Sequence, residues 1–364
     1  MPTPLPIQDR PVRLGVVGLG QIAELMLPSY LERDDVEIVG LCDRSEKALG
    51  RWTERVAGAQ AVTDVEALLA LAPDVVDVYV PTPYHADVAV QLLEAGVHVQ
   101  CQKPIARTVE DCDRMIAAAN GSGAVLRVLE DYLFYEPIVK LRDVVASGEI
   151  GEPAGIHMKI VATGRGGWDV GMESYIWQFE QAKDGRGMLV FDHGWHQLAV
   201  AHAMFGPVRR IYAWIGATQP VPDLAPEVLL DAPSTLVWEH ENGVRGVMDV
   251  TLSPDQYFRS DYYTCDERVE VTGSRGYARC NRISAYGIQE PSVVVYAEGE
   301  MRGYHALADT PPDAFRASTV HGLDVLTKGT NDIVMSATAS REVLAALEAA
   351  VISARDGTAV DVQN

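Results

Sequence analysis

Short apolar runs alternate with longer amphipathic stretches along the first third of the chain. Runs rich in Val, Ile and Leu are typical of strands buried on both faces of a parallel sheet, and the stretches between them have helical spacing. The predicted strands are Leu14–Val17, Val36–Cys42, Val75–Val80, Val97–Cys101 and Val125–Leu129. The predicted helices are Ile22–Leu31, Glu46–Val56, Val65–Leu71, Ala86–Ala95 and Val109–Asn120. This alternation predicts βαβ units in a doubly wound parallel sheet, an α/β fold.

The pattern changes after a predicted helix at Pro137–Ser147. A strand begins at Pro153, and a long apolar helix is predicted over Met188–Phe205. Later strand-like runs follow one another without helices between them, which favours an open, mainly antiparallel sheet. These runs are Val208–Ile215, Ser234–Glu239, Val244–Val250, Val269–Thr272, Tyr277–Asn281 and Val293–Tyr296, and a last helix is predicted over Ser340–Ser353. The sequence thus predicts two domains, residues 1–131 and residues 132–364.

Composition and charge narrow the possible partners. The chain has 364 residues and a formal net charge of −21, so its surface repels phosphate backbones and anionic lipids, and no nucleic acid or membrane partner is expected. Its 5 cysteines include no CxxC pair, which disfavours a disulfide framework or a metal site. The sequence shows neither a leader-like segment nor an apolar run of membrane-spanning length. We therefore expect a cytoplasmic protein that binds no metal.

A glycine turn directly follows the first predicted strand, in the segment Gly18-Leu19-Gly20-Gln21-Ile22-Ala23. Gly18 permits the tight turn, and Gly20 lets the backbone approach a pyrophosphate closely. The helix that begins at Gln21 and Ile22 offers free N–H groups and a positive dipole end. Because strand, turn and helix occur in this order, the segment predicts dinucleotide binding in a Rossmann domain.

Asp43 lies at the end of the second strand, where an acidic residue accepts hydrogen bonds from the adenosine ribose hydroxyls. Its charge repels a 2′-phosphate, so the sequence favours NAD over NADP as the cofactor. Arg44 keeps NADP open, because its guanidinium suits either a 2′-phosphate or stacking on adenine. The alternative for Asp43 is that it only caps the helix that begins near Ser45.

Two further segments follow strands at the sheet edge where doubly wound folds bind ligands. Pro81, Thr82 and His85 follow one strand, and Gln102 and Lys103 follow the next. His85 has two interpretations, a helix cap in a proline-rich turn or a group of the site. The Lys103 ammonium suits the stabilisation of a developing alkoxide, but spacing alone does not distinguish it from a surface lysine.

Asp192 and His196 lie four residues apart in the long apolar helix, so both are expected on one helical face. A carboxylate and an imidazole in that arrangement can orient a substrate hydroxyl and remove its proton, since histidine titrates near neutrality. The alternative is a polar pair on a solvated face, but their apolar neighbours favour burial. His193 and His202 lie off this face and are interpreted as structural or peripheral.

In their order and spacing these motifs resemble the Gfo/Idh/MocA oxidoreductases, the glucose–fructose oxidoreductase and inositol dehydrogenase group. The resemblance covers nearly the whole chain, from the glycine turn through Lys103-Pro104 to Asp192 and His196 and the last helix. It implies a Rossmann domain followed by an α/β domain whose sheet commonly forms an oligomer interface, so a homodimer or homotetramer is expected. It also implies an NAD-dependent dehydrogenase that acts on a CH–OH group of a sugar, glycoside or cyclitol.

The resemblance also implies roles for individual residues. Lys103 would polarise the substrate oxygen, His196 would act as general base or acid, and Asp192 would position the substrate or the histidine. The usual glutamate before the lysine is Gln102 here, which removes one negative charge beside Lys103. Some positions on the substrate side depart from the family pattern, and aromatic side chains there suit sugar rings. The candidate substrate contacts are Tyr132, Arg165, Trp168 and Trp177. The crowding of Arg165, Trp168 and Trp177 would look the same in a lid or an oligomer contact.

Three functions therefore compete. The first is the NAD-dependent dehydrogenase. The second is a glycosidase that holds NAD and eliminates the glycosidic substituent after transient oxidation of the sugar. The third is a dinucleotide-binding regulator without turnover, which the presence of Lys103, Asp192 and His196 disfavours.

Overall fold

The computed structural model describes residues 10–165, 175–219, 228–257, 265–281, 290–305, 307–308, 310–328 and 333–363. The chain forms two compact units. The first contains Met1–Asp131 and Phe315–Leu344, and the second contains Tyr132–Ala314 and Ala345–Asn364. The predicted first domain ends at residue 131, whereas the first unit also includes a segment from the C-terminal part of the chain.

A six-stranded parallel sheet forms the centre of the first unit. Its strands are β1 (Val12–Val17), β2 (Val36–Cys42), β3 (Gln60–Val62), β4 (Val75–Val78), β5 (His98–Gln102) and β6 (Leu126–Leu129). The helices between them are α1 (Gln21–Met26), α2 (Pro28–Leu31), α3 (Glu46–Thr53), α4 (Val65–Leu69), α5 (His85–Glu94) and α6 (Val109–Ser122). The strand order is β3-β2-β1-β4-β5-β6, which confirms the predicted doubly wound sheet. The order reverses between β1 and β4, the switch point at which such sheets bind ligands.

The prediction of one helix over Ile22–Leu31 was wrong. The chain forms α1 and then α2, which begins at Pro28 with Leu27 as its N-cap. Proline has no N–H to continue the hydrogen-bond ladder of α1, so the helix restarts there. The short strand β3 was also missed, because its exposed and half-exposed residues form no buried apolar run.

A nine-stranded sheet forms the second unit. Its strands are β7 (Pro153–Arg165), β8 (Val208–Ile215), β9 (Ser234–His240), β10 (Arg245–Tyr257), β11 (Cys265–Gly273), β12 (Gly276–Asn281), β13 (Val293–Ala297), β14 (Glu300–Tyr304) and β15 (Val360–Asp361). The strand order is β14-β13-β12-β11-β7-β10-β9-β8-β15. Only β7 and β10 pair in parallel, and the other described pairs are antiparallel. The predicted mainly antiparallel sheet is therefore confirmed.

The second unit also contains α7 (Glu136–Ala146), α8 (Ile176–Ala182), a π-helix (Met188–His193) and α9 (Gly194–Phe205), and α7 contacts β12 and β13. The last two helices of the chain are α10 (Pro311–Lys328) and α11 (Ala337–Asp356), and each includes residues of both units. Along β9, buried and more exposed positions alternate, as expected when only one face is covered. A Cβ on Gly194 would lie 3.0 Å from Met248 of β10, so α9 packs closely on the sheet. Helix α10 was not predicted, because its Ser, Thr and Gly residues interrupt the apolar pattern.

Candidate active site

The glycine turn follows β1 in the first unit. Gly18 has a φ of +95°, and a Cβ there would lie 2.8 Å from the backbone of Tyr79 and Val80, so only glycine fits. A Cβ on Gly20 would meet nothing within 4 Å, which leaves open space in front of α1. Gln21 and Ile22, the first residues of α1, are half-buried behind this space. The turn therefore has the form of a cradle for a pyrophosphate.

Asp43 braces this turn. Its Oδ2 accepts a hydrogen bond from the Leu19 N–H at 2.7 Å, and its Oδ1 accepts one from the Ser45 N–H at 2.7 Å. The cap of α3 is Ser45 itself, whose hydroxyl accepts from the Ala48 N–H. The interpretation of Asp43 as a simple helix cap was therefore wrong. A carboxylate oxygen accepts more than one hydrogen bond, so Asp43 keeps the capacity to bind ribose hydroxyls.

Two arginines lie near the cradle. The guanidinium of exposed Arg44 lies 6.0 Å from the ring centroid of Tyr84, a cation–π contact. Arg51, which was not predicted as a site residue, donates a hydrogen bond to the Leu19 carbonyl oxygen at 2.7 Å. Several arginines occur in and around α3, and no sequence pattern indicates which one contacts the turn.

His85 holds two loops of the first unit together. It is 1% exposed, and its ring nitrogens lie 2.8 Å from the Val80 carbonyl oxygen and 2.9 Å from the Pro104 carbonyl oxygen. The ring thus joins the chain after β4 to the chain after β5. Thr82 is also buried and Pro81 is half-buried, so this segment forms a wall at the sheet edge. The helix-cap interpretation of His85 was wrong, because the N-cap of α5 is Tyr84 and its side chain makes no capping hydrogen bond.

Lys103 follows β5 and is half-buried, and its peptide bond to Pro104 is cis. Gln102, 5% exposed, accepts a hydrogen bond from the Lys103 N–H through Oε1 at 3.2 Å. Its buried Nε2 has no hydrogen-bond partner within the part of the chain that the structure describes. A buried amide donor usually has an acceptor, and a bound ligand would supply one. The cradle, the Asp43 carboxylate and this donor together fit a dinucleotide.

In the second unit, the segment predicted as one helix begins as the π-helix and continues as α9. Asp231 fixes its first turn, because its carboxylate oxygens accept the N–H groups of Leu189 at 2.8 Å and Val190 at 2.7 Å. Burial raises the pKa of Asp231, while the two backbone donors oppose that rise. Asp231 was not predicted as a site residue, because it lies 42 residues from Leu189 along the chain. Single π-helical turns inside helices are frequent at functional sites.

Asp192 and His196 lie on the two sides of the junction between the π-helix and α9. Asp192 is half-buried, and His196 is 1% exposed. The prediction that the two residues share one face assumed α-helical spacing, and Asp192 lies in the π-helical turn. The pKa of the Tyr175 hydroxyl, at the N-cap of α8, is raised by burial and also by the Asp192 charge.

A cluster of polar side chains, which we call the Glu267 cluster, surrounds His196. It contains Tyr132, His193, Gln197 and Glu267. The rings of Tyr132 and His196 are stacked, with centroids 4.0 Å apart and planes at 12°. Tyr132 donates to Glu267 Oε1 at 2.9 Å, and His193 Nε2 lies 2.8 Å from the same oxygen. Of the two interpretations of His193, structural or peripheral, the contact with Glu267 fits the structural one.

The remaining predicted substrate residues lie in several places. Tyr132 is 2% exposed and lies against His196. Arg165 ends β7, and Trp177 is half-buried in α8. Trp168 lies outside the described residues. All five cysteines are free and buried, and among the described helices none has the length and apolar character to cross a membrane.

Both units match models of a single protein family. Residues 12–130 match the model described as an oxidoreductase family with an NAD-binding Rossmann fold, which confirms the predicted cofactor. Residues 138–279 match the GFO/IDH/MocA C-terminal domain. An oxidoreductase from Agrobacterium radiobacter, solved in complex with NAD+, L-tartaric acid and magnesium, has the same fold, with a TM-score of 0.82 and 22% identity over 96% of this chain and 98% of that one.

Two relatives of known activity are similar in sequence. A 1-carboxy-3-chloro-3,4-dihydroxycyclohexa-1,5-diene dehydrogenase of Comamonas testosteroni is 32% identical over 69% of this chain, and the match covers 60% of that enzyme. A D-apiose dehydrogenase of Paraburkholderia graminis is 27% identical over 96% of this chain and 89% of that enzyme. Together with the two domain models, these matches show that the chain belongs to the GFO/IDH/MocA family of oxidoreductases.

Proposed function

We propose that this protein is an NAD-dependent dehydrogenase that transfers a hydride between the nicotinamide and a secondary alcohol or ketone of a sugar, glycoside or cyclitol. The observation that carries the proposal is the presence of Lys103, Asp192 and His196 in a chain whose first unit has a glycine turn braced by Asp43. The relatives support the substrate class, because one is named for the sugar D-apiose and the other for a ring diol.

Bound NAD would supply the hydride acceptor, and the residues of this chain would manage the proton and the charge. His196 takes the proton of the reacting hydroxyl, a role that suits an imidazole at neutral pH. Lys103 donates a hydrogen bond to the same oxygen and stabilises its developing negative charge. Asp192 orients the hydroxyl. In the reductive direction the same groups return the proton.

The test is a panel of sugars, cyclitols and glycosides, assayed with NAD and with NADP for formation of the reduced cofactor. We expect turnover with NAD, and we expect kcat to fall at least about 100-fold in Lys103→Ala and in His196→Ala, since each residue acts on the proton or the oxygen. His202→Ala, in the same helix as His196, serves as the control with wild-type rates.

Two results would contradict the proposal. Full turnover in both Lys103→Ala and His196→Ala would show that neither residue has the role proposed for it. Release of a sugar from a glycoside without accumulation of NADH would instead identify the glycosidase.

We also propose that the protein assembles as a homodimer or homotetramer through the uncovered face of the nine-stranded sheet. Trp214 of β8 is 59% exposed and Met301 of β14 is 65% exposed. Large apolar side chains exposed in this way are typical of interaction surfaces.

A further inference from the structure

Glu267, on β11, is a fully buried carboxylate to which the proposed reaction assigns no step. Its side chain is 0% exposed. It accepts hydrogen bonds from Tyr132 at 2.9 and 3.1 Å and from Gln197 Nε2 at 2.6 Å, and His193 Nε2 lies 2.8 Å from Oε1. Burying a carboxylate is costly unless donors compensate for the lost water. The second unit therefore places several donors around a single acidic group.

The donors of this cluster also surround the proposed base. His193 and Gln197 come from the helical segment that carries His196, one on each side of it along the chain. The His193 ring meets the His196 ring edge-on, with centroids 5.5 Å apart. The Tyr132 ring stacks on His196 at 4.0 Å. Glu267 is thus connected to the surroundings of His196 both through the helix and through the stacked ring.

We propose that Glu267 is a positioning residue, whose carboxylate holds Tyr132 and the helical turn of His196 so that the imidazole keeps the orientation required for proton transfer. A displacement of reacting groups by about 1 Å lowers the rate on the order of 100-fold. A residue that holds the imidazole in place therefore affects kcat. The proposal rests on the function proposed above, in which His196 moves the proton.

A metal centre is the alternative use of the same residues. His193, Cys265 and Glu267 each offer one ligand atom, and these atoms lie within 4.8 Å of one another. Such residue types suit zinc. The oxygens of Glu267, however, accept hydrogen bonds from Tyr132 and Gln197 at ordinary distances, which is the arrangement of a hydrogen-bond acceptor. The geometry therefore favours the positioning role.

Two substitutions separate positioning from charge. Glu267→Ala removes the acceptor. Glu267→Gln keeps the size and one acceptor oxygen for Tyr132 and His193, and its new N–H group faces Gln197. The Gln197 Oε1 atom is buried and has no hydrogen-bond partner among the residues described, so rotation of that amide gives the new donor an acceptor. The glutamine variant can therefore preserve the cluster without the charge.

We expect kcat to fall about 100-fold in Glu267→Ala and to recover to within a few-fold of wild type in Glu267→Gln, with KM and the Kd for NADH close to wild type. Val271→Ala, a truncation on the same strand at a residue 0% exposed, controls for general loosening of the core and should lower Tm without lowering kcat. Wild-type kcat in Glu267→Ala, or an equal loss in both Glu267 variants, would overturn the proposal.

A second measurement does not need turnover. The ring current of Tyr132 shifts the imidazole proton resonances of His196, which are assigned by their loss in His196→Gln. We expect this shift to disappear in Glu267→Ala, to persist in Glu267→Gln and to weaken in Tyr132→Phe, which keeps the ring but loses its bond to Glu267. If the wild type turns over no substrate, the proposed function fails while this test still applies. An unchanged shift in Glu267→Ala or Tyr132→Phe would refute the positioning role.

Discussion

We propose that Asp43 both braces the glycine turn and binds the cofactor, so that its substitution affects both. Its carboxylate accepts the N–H groups of Leu19 and Ser45, and so holds the glycine turn against the end of β2. The same group is placed to accept hydrogen bonds from a ribose. The contribution of Asp43 to cofactor binding therefore includes the shape of the turn as well as direct contact.

We predict that Asp43→Ala raises the Kd for NADH about tenfold to 100-fold, the range expected for losing hydrogen bonds to a charged group. The Kd for NADPH should change less, because removal of the carboxylate also removes its repulsion of a 2′-phosphate. Fluorescence titration with both cofactors measures this difference.

Asp64→Ala is the matched control for this prediction. Asp64 caps α4 by accepting the Ala67 N–H at 2.8 Å, so its loss should cost about 1 kcal/mol of stability and leave both Kd values unchanged. An Asp43→Ala variant with wild-type affinity for NADH would contradict the assignment.

Among the elements, strands β4, β5 and β6 place three polar side chains in one row. The register pairs Asp77 with Gln100 and Gln100 with Arg127. Gln100 donates to Asp77 at 2.8 Å and accepts from Arg127 at 2.9 Å, and Arg127 also donates to the Ser318 carbonyl oxygen of α10. Burial lowers the pKa of Arg127 to about 10. This row connects the sheet to a helix that lies far away in sequence.

We predict that this row makes stability depend on pH. Burial raises the pKa of Asp77 from 3.8 to about 6, against the opposing effect of hydrogen bonds from Tyr30, Tyr79 and Gln100. Between about pH 4 and 6, Asp77 thus keeps its proton in the folded state and has lost it in the unfolded state. The contribution of protonated Asp77 to the free energy of unfolding is therefore lost as pH rises through that window. It amounts to about 3 kcal/mol.

Asp77→Asn provides the comparison. Other carboxylates titrate in both proteins, so the difference between wild type and variant isolates Asp77. We expect urea unfolding to show that the wild type loses about 2 kcal/mol more than the variant between pH 4 and 7. Parallel pH profiles for the two proteins would show that the Asp77 pKa is ordinary.

Close packing of α10 on this row leads to a further prediction. A Cβ on Gly322 would lie 1.7 Å from Gln100 Oε1 and 2.1 Å from an Arg127 nitrogen. Gly322→Ala should therefore lower stability by about 1–3 kcal/mol. Gly121→Ala in α6 meets nothing within 4 Å and should raise stability by about 0.5–1 kcal/mol. Urea midpoints of the two variants should move in opposite directions, and a stabilised Gly322→Ala would contradict the packing.

For the whole molecule, we predict a homodimer or homotetramer in size-exclusion chromatography with light scattering. Trp214→Asp should shift the protein to a smaller species, because it places a charge on the proposed apolar contact face. Leu31→Asp, at an exposed apolar residue of the first unit, should leave the assembly unchanged. A monomeric wild type would contradict the prediction.

The sequence by itself determined the parallel sheet, the glycine turn and the identity of the residues proposed for catalysis. These features depend on local patterns, since a buried strand needs a continuous apolar run and a tight turn beside a pyrophosphate needs glycine. The family resemblance then connected Lys103, Asp192 and His196, which spacing alone did not distinguish from ordinary polar residues.

Only the tertiary structure decided which buried polar groups support the proposed site. Glu267 and Asp231 lie far along the chain from the helical segment that they hold, and no local pattern connects groups at that separation. The Asp77–Gln100–Arg127 row likewise depends on strand register. A buried charged group is tolerated only where hydrogen-bond partners surround it. Here those partners are far apart along the chain, and only the folded structure brings them together.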